Sequence, residues 1–348
     1  MLWECEAEID MDNRIIEEDI RDVWNEIDLS SLAGKSILLT GATGLIGTYL
    51  IYSLLEFNKR NSNQVQIHVI VHNGYPAHLE FLTENDIVTT HKGDLSDFVF
   101  CNSLPDCDYI IHAAGYGQPG KFMDKKIKTI RLNTMTTDVL LSKLKENGRF
   151  LFISTSEIYS GSDDIPYKES SCGATMPDHG RACYIEGKRC GEAICHAWED
   201  MGKKVRIARV ALAYGPGVRS SDKRALYNFI QKGLNGRIDL LDDGKAGRVY
   251  CYVADTVANL WNILLKGKET TYNVGGDSNI TIRQLAELIG DVLQVPVYVP
   301  EEDNSLKEAP QVVSLDMEKV KNEFGKEKYI SIEDGIRRTI QWYQANIH

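Results

Sequence analysis

Short apolar runs alternate with longer stretches of helical spacing between residues 35 and 210 of this 348-residue chain. The short runs predict β-strands at residues 36–40, 66–71, 88–91, 109–112, 150–154 and 205–210. The longer stretches predict helices at residues 48–57, 127–145 and 184–200. Strands that alternate with helices indicate right-handed crossovers, and therefore an α/β fold with a doubly wound, mostly parallel sheet.

The two ends of the chain have a different pattern. Residues 1–34 are acidic and predict one amphipathic helix that packs on the main body, with a partner or dimer contact as the alternative. The apolar positions of this helix are Ile15, Ile16, Ile20, Val23, Trp24 and Ile27. After residue 210 the segments are shorter and separated by glycine-rich turns. We expect residues 211–348 to form mainly a smaller C-terminal α/β domain that binds substrate, with some segments returning to the first domain.

Composition and charge exclude several classes of function. The formal net charge of -11 argues against a general binder of nucleic acid or of anionic membranes. No apolar run approaches a membrane-spanning length. The eight cysteines show neither CxxC pairs nor zinc-ligand spacing with histidine, so we expect free thiols in a reducing, cytoplasmic compartment and no metal site.

A glycine-rich loop joins the first predicted strand to the following helix. In SILLTGATGLIGTYL, Gly41, Gly44 and Gly47 come directly after a buried strand and directly before a helix. Glycine lets the turn tighten and lets the backbone approach a pyrophosphate, and the helix N-terminus offers free N–H groups. The loop therefore predicts a dinucleotide-binding, Rossmann-type domain over residues 35–210.

The choice between NAD and NADP rests on the ends of the second and third strands. The acidic residue that commonly binds the adenosine ribose is replaced by His72 and Asn73, and no arginine stands there for a 2′-phosphate. Asn73 is expected to bind the ribose. Asp94 follows the third strand and is either an adenine-site residue or a turn and N-cap residue. The pattern favours NAD.

A tyrosine and a lysine four residues apart form the candidate catalytic pair. In RACYIEGKR, Tyr184 and Lys188 lie on one face of the predicted helix. We expect the ammonium to lower the pKa of the tyrosine, which then acts as a base on a hydroxyl. Thr155 in FLFISTSEIYSG is expected to hydrogen-bond the same hydroxyl.

Taken together, these motifs resemble the extended short-chain dehydrogenase/reductases, the NAD-dependent epimerase/dehydratase family. The resemblance extends from Lys35 to Tyr343 and rests on GATGLIG, HAAG, IKTIRLNT, STSEIY, RACYIEGKR, YGPG and GRVYCYVAD. The strings STSE and RACYIEGKR are most similar to the UDP-glucuronate decarboxylases (UDP-xylose synthases). The resemblance implies a nucleotide-sugar substrate, a bound NAD and a homodimer packed through the helices around residues 134–145 and 184–200.

The resemblance also assigns residues to the site. The cofactor set that it implies is Gly41, Thr43, Gly44, Leu45, Ile46, Gly47, Asn73, Asp94, Leu95, Ala113, Ala114, Asn133, Tyr184 and Lys188. The implied catalytic set is Thr155, Ser156, Glu157, Tyr184 and Lys188, and the implied substrate set is Gly115, Arg224 and Arg248.

Ser156 and Glu157 favour one reaction over its relatives. The 4,6-dehydratases carry an Asp–Glu pair after the threonine, whereas Ser156–Glu157 matches the decarboxylase pattern, and simple 4-epimerases usually lack the glutamate. The main prediction is decarboxylation of a UDP-uronic acid through a 4-keto intermediate. The alternatives are a 4-epimerase, then a 4,6-dehydratase and, in another class, a non-catalytic NAD sensor. The loop HAAGYGQPGKF and Ala213 depart from the decarboxylase pattern, which leaves the sugar and the nucleotide base open.

Overall fold

A parallel sheet forms the centre of the molecule. The computed structural model describes residues 13–219, 221–300 and 312–346, so residues 1–12 of the predicted N-terminal extension lie outside the described residues. The strands are β1 (Ser36–Thr40), β2 (Gln66–Val71), β3 (Val88–Lys92), β4 (Cys107–His112), β5 (Leu144–Thr155), β6 (Lys204–Val210), β7 (Leu212–Tyr214), β8 (Ile238–Asp239), β9 (Gly247–Tyr252), β10 (Thr271–Val274), β11 (Ser278–Thr281) and β12 (Val297–Tyr298).

The helices connect these strands and cover the sheet. They are α1 (Arg14–Trp24), α2 (Leu45–Arg60), α3 (Phe98–Asn102), α4 (Pro119–Asp124), α5 (Lys126–Asn133), α6 (Met135–Ser142), α7 (Ala182–Asp200), α8 (Ala225–Leu234), α9 (Val253–Lys266), α10 (Ile282–Leu293), α11 (Glu318–Phe324) and α12 (Ile332–Asn346). No helix in the described ranges combines the length and the apolar character that a membrane crossing requires.

The strand order confirms the predicted doubly wound fold. Within the described residues the central sheet runs β10-β6-β5-β4-β1-β2-β3, and every neighbouring pair is parallel. A three-stranded sheet (β11-β9-β7) and the pair β12-β8 lie in the C-terminal part of the chain. Each of the six predicted strands is present at its expected place. The order reverses between β1 and β4, and the crevice at that switch point is where open α/β sheets bind ligands.

One predicted helix is wrong as a single element. The stretch 127–145 forms two helices, because the chain breaks at Thr134, whose φ and ψ are -113° and -81°. The side chains of Asn133 and Thr134 donate to the carbonyls of Thr129 (2.8 Å) and Ile130 (2.9 Å). Such back-bonding bends helices. The second helix ends at Ser142, and β5 already begins at Leu144.

Helix α1 packs against the body of the protein through a buried carboxylate. Asp19 is fully buried and accepts hydrogen bonds from the hydroxyls of Tyr49 (2.6 Å) and Tyr252 (2.7 Å). Its other oxygen lies 2.5 Å from a guanidinium nitrogen of Arg338 in α12. One carboxylate therefore joins α1 to α2, β9 and α12.

We predict that Asp19→Asn lowers the free energy of unfolding by about 3 kcal/mol, because an amide has a single oxygen for the three donors that the two carboxylate oxygens of Asp19 accept. Asp22→Asn is the matched control, since Asp22 contacts the same arginine at 3.3 Å but is largely exposed. The control should cost less than about 1 kcal/mol. Urea unfolding measures both, and equal losses would contradict the anchoring role of Asp19.

Candidate active site

The glycine loop packs against the end of β4. Gly41 has a φ of +71°, and a Cβ there would lie 2.5 Å from the carbonyl oxygen of Ala113. A Cβ on Gly47 would lie 2.2 Å from the carbonyl oxygen of Gly41. Helix α2 begins at Leu45 with Gly44 as its N-cap, and Leu45 and Ile46 pack on the core. Loop, strand end and helix are thus close enough to cradle a pyrophosphate against backbone N–H groups.

A buried histidine fixes the adjacent ends of β1 and β4. The Nδ1 of His112 lies 2.8 Å from the hydroxyl of Thr40, and its Nε2 lies 2.9 Å from the carbonyl of Leu132. Burial, reinforced by the charge of Lys188, lowers the pKa of His112 to about 3, so the ring is neutral. Nε2–H therefore donates to Leu132, and the Thr40 hydroxyl donates to Nδ1 while it accepts the N–H of Ala114 (3.0 Å). This chain of bonds sets the backbone of the HAAG segment.

Asn133 presents an unsatisfied oxygen beside that segment. Its side-chain nitrogen donates to Thr129, but its Oδ1 is buried without a hydrogen-bond partner among the described residues. Gly115 lies next to it: a Cβ there would be 3.9 Å from both the Asn133 oxygen and the Nζ of Lys188. A buried, unpaired acceptor is costly, and a bound polar group would satisfy it. The structure therefore brings Asn133, Gly115 and Lys188 together.

The tyrosine and the threonine of the candidate site meet across β5 and α7. Tyr184 hydrogen-bonds the side chain of Thr155, the last residue of β5, and its ring stacks on Phe122 with centroids 4.7 Å apart. Burial and the negative charge of Glu157 raise the pKa of Tyr184 to about 12. The expected lowering of this pKa by the lysine is wrong for the protein without ligands. Tyr184 is a neutral phenol in this state, since the desolvated phenolate is disfavoured.

Lys188 contacts the strand rather than the tyrosine. Its Nζ donates to the carbonyl of Ile153 (2.6 Å) and lies 4.6 Å from the centre of the Phe152 ring. Burial lowers the pKa of Lys188 to about 8, although the carboxylate of Glu192 opposes the shift. The ammonium is therefore held at the end of β5, beside Asn133 and Gly115.

Glu157 is clamped by an arginine that the sequence analysis did not assign. Arg181 lies three residues before Tyr184 and forms a two-pronged ion pair with Glu157, one branch of which is an Nε–Oε2 contact of 3.1 Å. Burial raises the pKa of Glu157, although the charges of Arg181 and Arg248 oppose the shift. The sequence RACY contains Arg181, but the neighbouring residues do not indicate that its partner is Glu157, which lies 24 residues away.

The two arginines of the predicted substrate set approach the same region from the C-terminal part of the chain. Arg248 lies on β9, and burial lowers its pKa, with a smaller contribution from the like charge of Arg181. Arg224 caps α8 and forms a bidentate ion pair with Asp222, with an Nη2–Oδ2 distance of 2.7 Å. Its charge also acts on Tyr184. Partly desolvated cations of this kind suit an anionic substrate.

The remaining predicted residues lie at the margin of the site. Asn73 is exposed after β2, and Ser156 is half-buried in the 3-10 turn that follows Thr155. Burial opposes ionisation of Asp94, but hydrogen bonds from Lys128 (2.5 Å) and Ser96 lower its pKa to about 2. Asp94 is therefore a turn carboxylate in an ion pair, and the N-cap of α3 is Asp97. Leu95 is buried, and its carbonyl accepts from Thr136.

The sheet, the glycine loop and the Thr–Tyr–Lys group define a class of protein. The chain belongs to the NAD dependent epimerase/dehydratase family, whose model matches residues 37–275. It is therefore an NAD-dependent enzyme of the epimerase/dehydratase class. The glycine cradle and the unpaired Asn133 oxygen fit the dinucleotide that this family uses.

The chain is also similar in sequence to two curated relatives and in fold to a solved structure. The chain is 30% identical to UDP-glucuronic acid decarboxylase 1 of Xenopus tropicalis over 92% of its own length and 74% of the relative. It is 29% identical to UDP-glucuronic acid decarboxylase 1 of Danio rerio, over 92% and 75%. The fold is similar to that of UDP-glucuronic acid 4-epimerase from Bacillus cereus, with 20% identity, a TM-score of 0.74, and coverage of 89% of this chain and 99% of that one.

We predict that Lys188→Met stabilises the cofactor-free protein by about 2 kcal/mol at pH 7. The folded pKa of about 8 lies below the ordinary 10.5, so the charged lysine costs stability below pH 8, and this cost disappears as the pH rises to 10.5. The gain should therefore vanish near pH 10. Thermal unfolding at both pH values measures it, with the exposed Lys126→Met as the control. A variant that is less stable than wild type at pH 7 would overturn the prediction.

Proposed function

We propose that the protein decarboxylates a UDP-uronic acid by oxidising the sugar at C4, releasing CO2 and reducing the resulting ketone to a UDP-pentose. The observation that carries the proposal is the Glu157–Arg181 pair beside Arg248, within reach of the Tyr184–Thr155 hydrogen bond. The Tyr184–Thr155 pair, which suits oxidation of a hydroxyl, therefore lies close to the cation Arg248, which suits a carboxylate. The names of the two curated relatives agree with this choice of substrate.

The cofactor would be held by the loop from Gly41 to Gly47, the end of β4, Asn133 and Lys188. NAD bound there would supply the acceptor for the hydride that leaves C4 of the sugar and the source of the hydride that later returns to C4. Asn73 and Asp94 are proposed for the adenosine half, Asp94 through the turn that it shares with Ser96. His112 contributes indirectly, because its two hydrogen bonds fix the backbone of residues 113–115.

Tyr184 and Thr155 would handle the hydroxyl proton. Tyr184 is neutral without ligands, so it must lose a proton before it accepts one from the sugar. The charges of Arg181 and Arg224 already favour the phenolate, and Lys188, one helical turn further along α7, is proposed to add its charge once the cofactor is bound. Thr155, which already shares a hydrogen bond with Tyr184, would hold the C4 oxygen at the same point. These two side chains also stabilise the oxygen anion that forms later.

Loss of CO2 follows from the chemistry of the oxidised sugar. With a ketone at C4 and a carboxylate at C5, the C5–C6 bond breaks, and its electron pair moves to the C4 oxygen as an enolate. A proton from solvent would then return to C5 and restore the C4 ketone, which the returning hydride and the proton held by Tyr184 would reduce to the alcohol. Arg248 and Ser156 are proposed to bind the carboxylate before it departs, and the negative charge of Glu157, fixed by Arg181, is proposed to favour its loss as neutral CO2. A low-dielectric site favours this step because the neutral CO2 leaves while a localised charge is dispersed.

We predict that the purified protein, given NAD and UDP-glucuronate, forms a pentose nucleotide in proton NMR. Tyr184→Phe should slow the reaction about 10³-fold while it still binds NAD, because only the proton acceptor is removed. Glu157→Gln should slow CO2 release about 10²-fold and let the 4-keto sugar accumulate. A uronate inverted at C4 would identify a 4-epimerase instead, and a 4-keto-6-deoxy product from UDP-glucose would identify a dehydratase. NAD binding with no change in any nucleotide sugar would point to a sensor.

We also propose a division of labour along the chain. Residues 35–210 would hold the cofactor and residues 211–348 mainly the sugar nucleotide, with β10 joining the central sheet.

A cytoplasmic location is supported by the cysteines, because the seven in the described ranges are free thiols.

A homodimer is proposed from the apolar surface beside α5. Ile127 and Ile130 on α5, Met123 on α4, and Phe98 and Val99 on α3 are exposed, with Ile127 at 65%. Exposed apolar groups of this number commonly mark an interface. Helix α5 packs against α7 and α6, the two helices that correspond to the expected interface segments 184–200 and 134–145.

We predict that the wild-type protein is a dimer in light scattering after size-exclusion chromatography, and that Ile127→Asp produces monomers by placing a charge in the interface. Leu241→Asp, at an equally exposed apolar position in the C-terminal part, is the control and should leave the mass unchanged. A monomeric wild type would contradict the proposal.

A further inference from the structure

The segment that follows β7 reaches the glycine loop. Arg219 donates through Nε (3.3 Å) and Nη2 (3.2 Å) to the carbonyl oxygen of Thr43, and through Nη2 to the Thr43 hydroxyl (2.8 Å). Thr43 lies between Gly41 and Gly44, directly before the N-terminus of α2. An arginine from the C-terminal part of the chain is thus attached to the loop that cradles the dinucleotide.

The path of this segment is fixed by packing. A Cβ on Gly215 would lie 2.5 Å from Val253, and the Gly215 N–H donates to the hydroxyl of Tyr227 (3.2 Å). Gly217 has a φ of +91° and lies against Thr48 in the first turn of α2. Val218, the next residue, is buried. The backbone therefore delivers Arg219 to the loop, so its position does not depend on the side chain alone.

No carboxylate in the described part of the chain pairs with Arg219. Among the described residues its partners are a carbonyl and a hydroxyl, both neutral, and its Nη1 amino group makes no hydrogen bond. The charge of Arg219 acts on His78, whose pKa is lowered to about 4 by burial and by that charge, so the ring is neutral. Two N–H donors and a full positive charge therefore lie beside the helix N-terminus, which adds its own partial charge.

We propose that Arg219 is a cofactor-retaining residue, which binds the pyrophosphate of NAD together with the glycine loop and slows the release of the cofactor. Arginine suits this role because its Nη1 amino group offers two N–H donors to phosphate oxygens while Nε and Nη2 keep their contact with Thr43. Retention matters for an enzyme that takes a hydride and returns it in one cycle, since an escaped reduced cofactor would end the cycle early. The proposal rests on the cofactor of the family and is independent of the sugar reaction.

The test measures binding, without turnover. Arg219→Ala should weaken NAD+ about 10- to 100-fold in calorimetry, speed its dissociation to a similar extent and lower the NAD content of the purified protein. Arg219→Lys keeps the charge but loses the guanidinium group, so its affinity for NAD+ should lie between those of the wild type and of Arg219→Ala. Lys223→Ala is the matched control, because it removes the same charge from an exposed position in the same segment. It should bind NAD+ as the wild type does.

Two further ligands locate the effect on the cofactor. ADP-ribose carries the pyrophosphate without nicotinamide, and adenosine carries neither. Arg219→Ala should weaken ADP-ribose as much as NAD+ and leave adenosine unchanged. Equal losses for adenosine and ADP-ribose would show a general distortion of the loop and overturn the proposal. Affinities and dissociation rates equal to those of Lys223→Ala would overturn it as well, whatever product the enzyme makes from a nucleotide sugar.

Discussion

The active site depends on the buried ion pair between Glu192 and Arg209. The Nη2 of Arg209, on β6, lies 2.7 Å from a Glu192 oxygen, and the hydroxyl of Ser154 donates to the other oxygen. Desolvating such a pair is costly, and each partner would be costly to leave alone. Ser154 directly precedes Thr155, and Glu192 lies one helical turn after Lys188. One carboxylate therefore sets the strand end and the catalytic helix in register.

Positive side chains near the site offset the repulsion of anionic ligands by the acidic chain. A net charge of -11 repels anionic ligands at long range, so affinity for a nucleotide sugar and a dinucleotide must come from positive groups placed at short range. The structure concentrates such groups at the ends of the central strands, with Arg181 and Arg248 near Glu157 and Arg219 on the glycine loop. Lys188 adds a buried charge at the end of β5.

Features encoded within a short stretch of chain could be predicted, whereas features that depend on distant partners could not. The glycine loop and the Tyr184–Lys188 spacing are local, and the structure shows both as expected. The pKa of Tyr184 moves in the opposite direction because desolvation and Glu157 outweigh a lysine that bonds a carbonyl instead. The break at Thr134 was missed because the apolar spacing continues through it, while side-chain hydrogen bonds end the helix.

Helix α1, which belongs to the N-terminal extension, stabilises the segments that form the cofactor site. Its Asp19 bonds Tyr49, two residues after Gly47 on the dinucleotide helix, and Tyr252 at the end of the strand that carries Arg248. Its Ile16 lies against Gly217, two residues before Arg219. The helix therefore contacts both sides of the Arg219–Thr43 junction. Loosening α1 would move the glycine loop and its arginine relative to each other, so cofactor retention should also depend on the packing of α1.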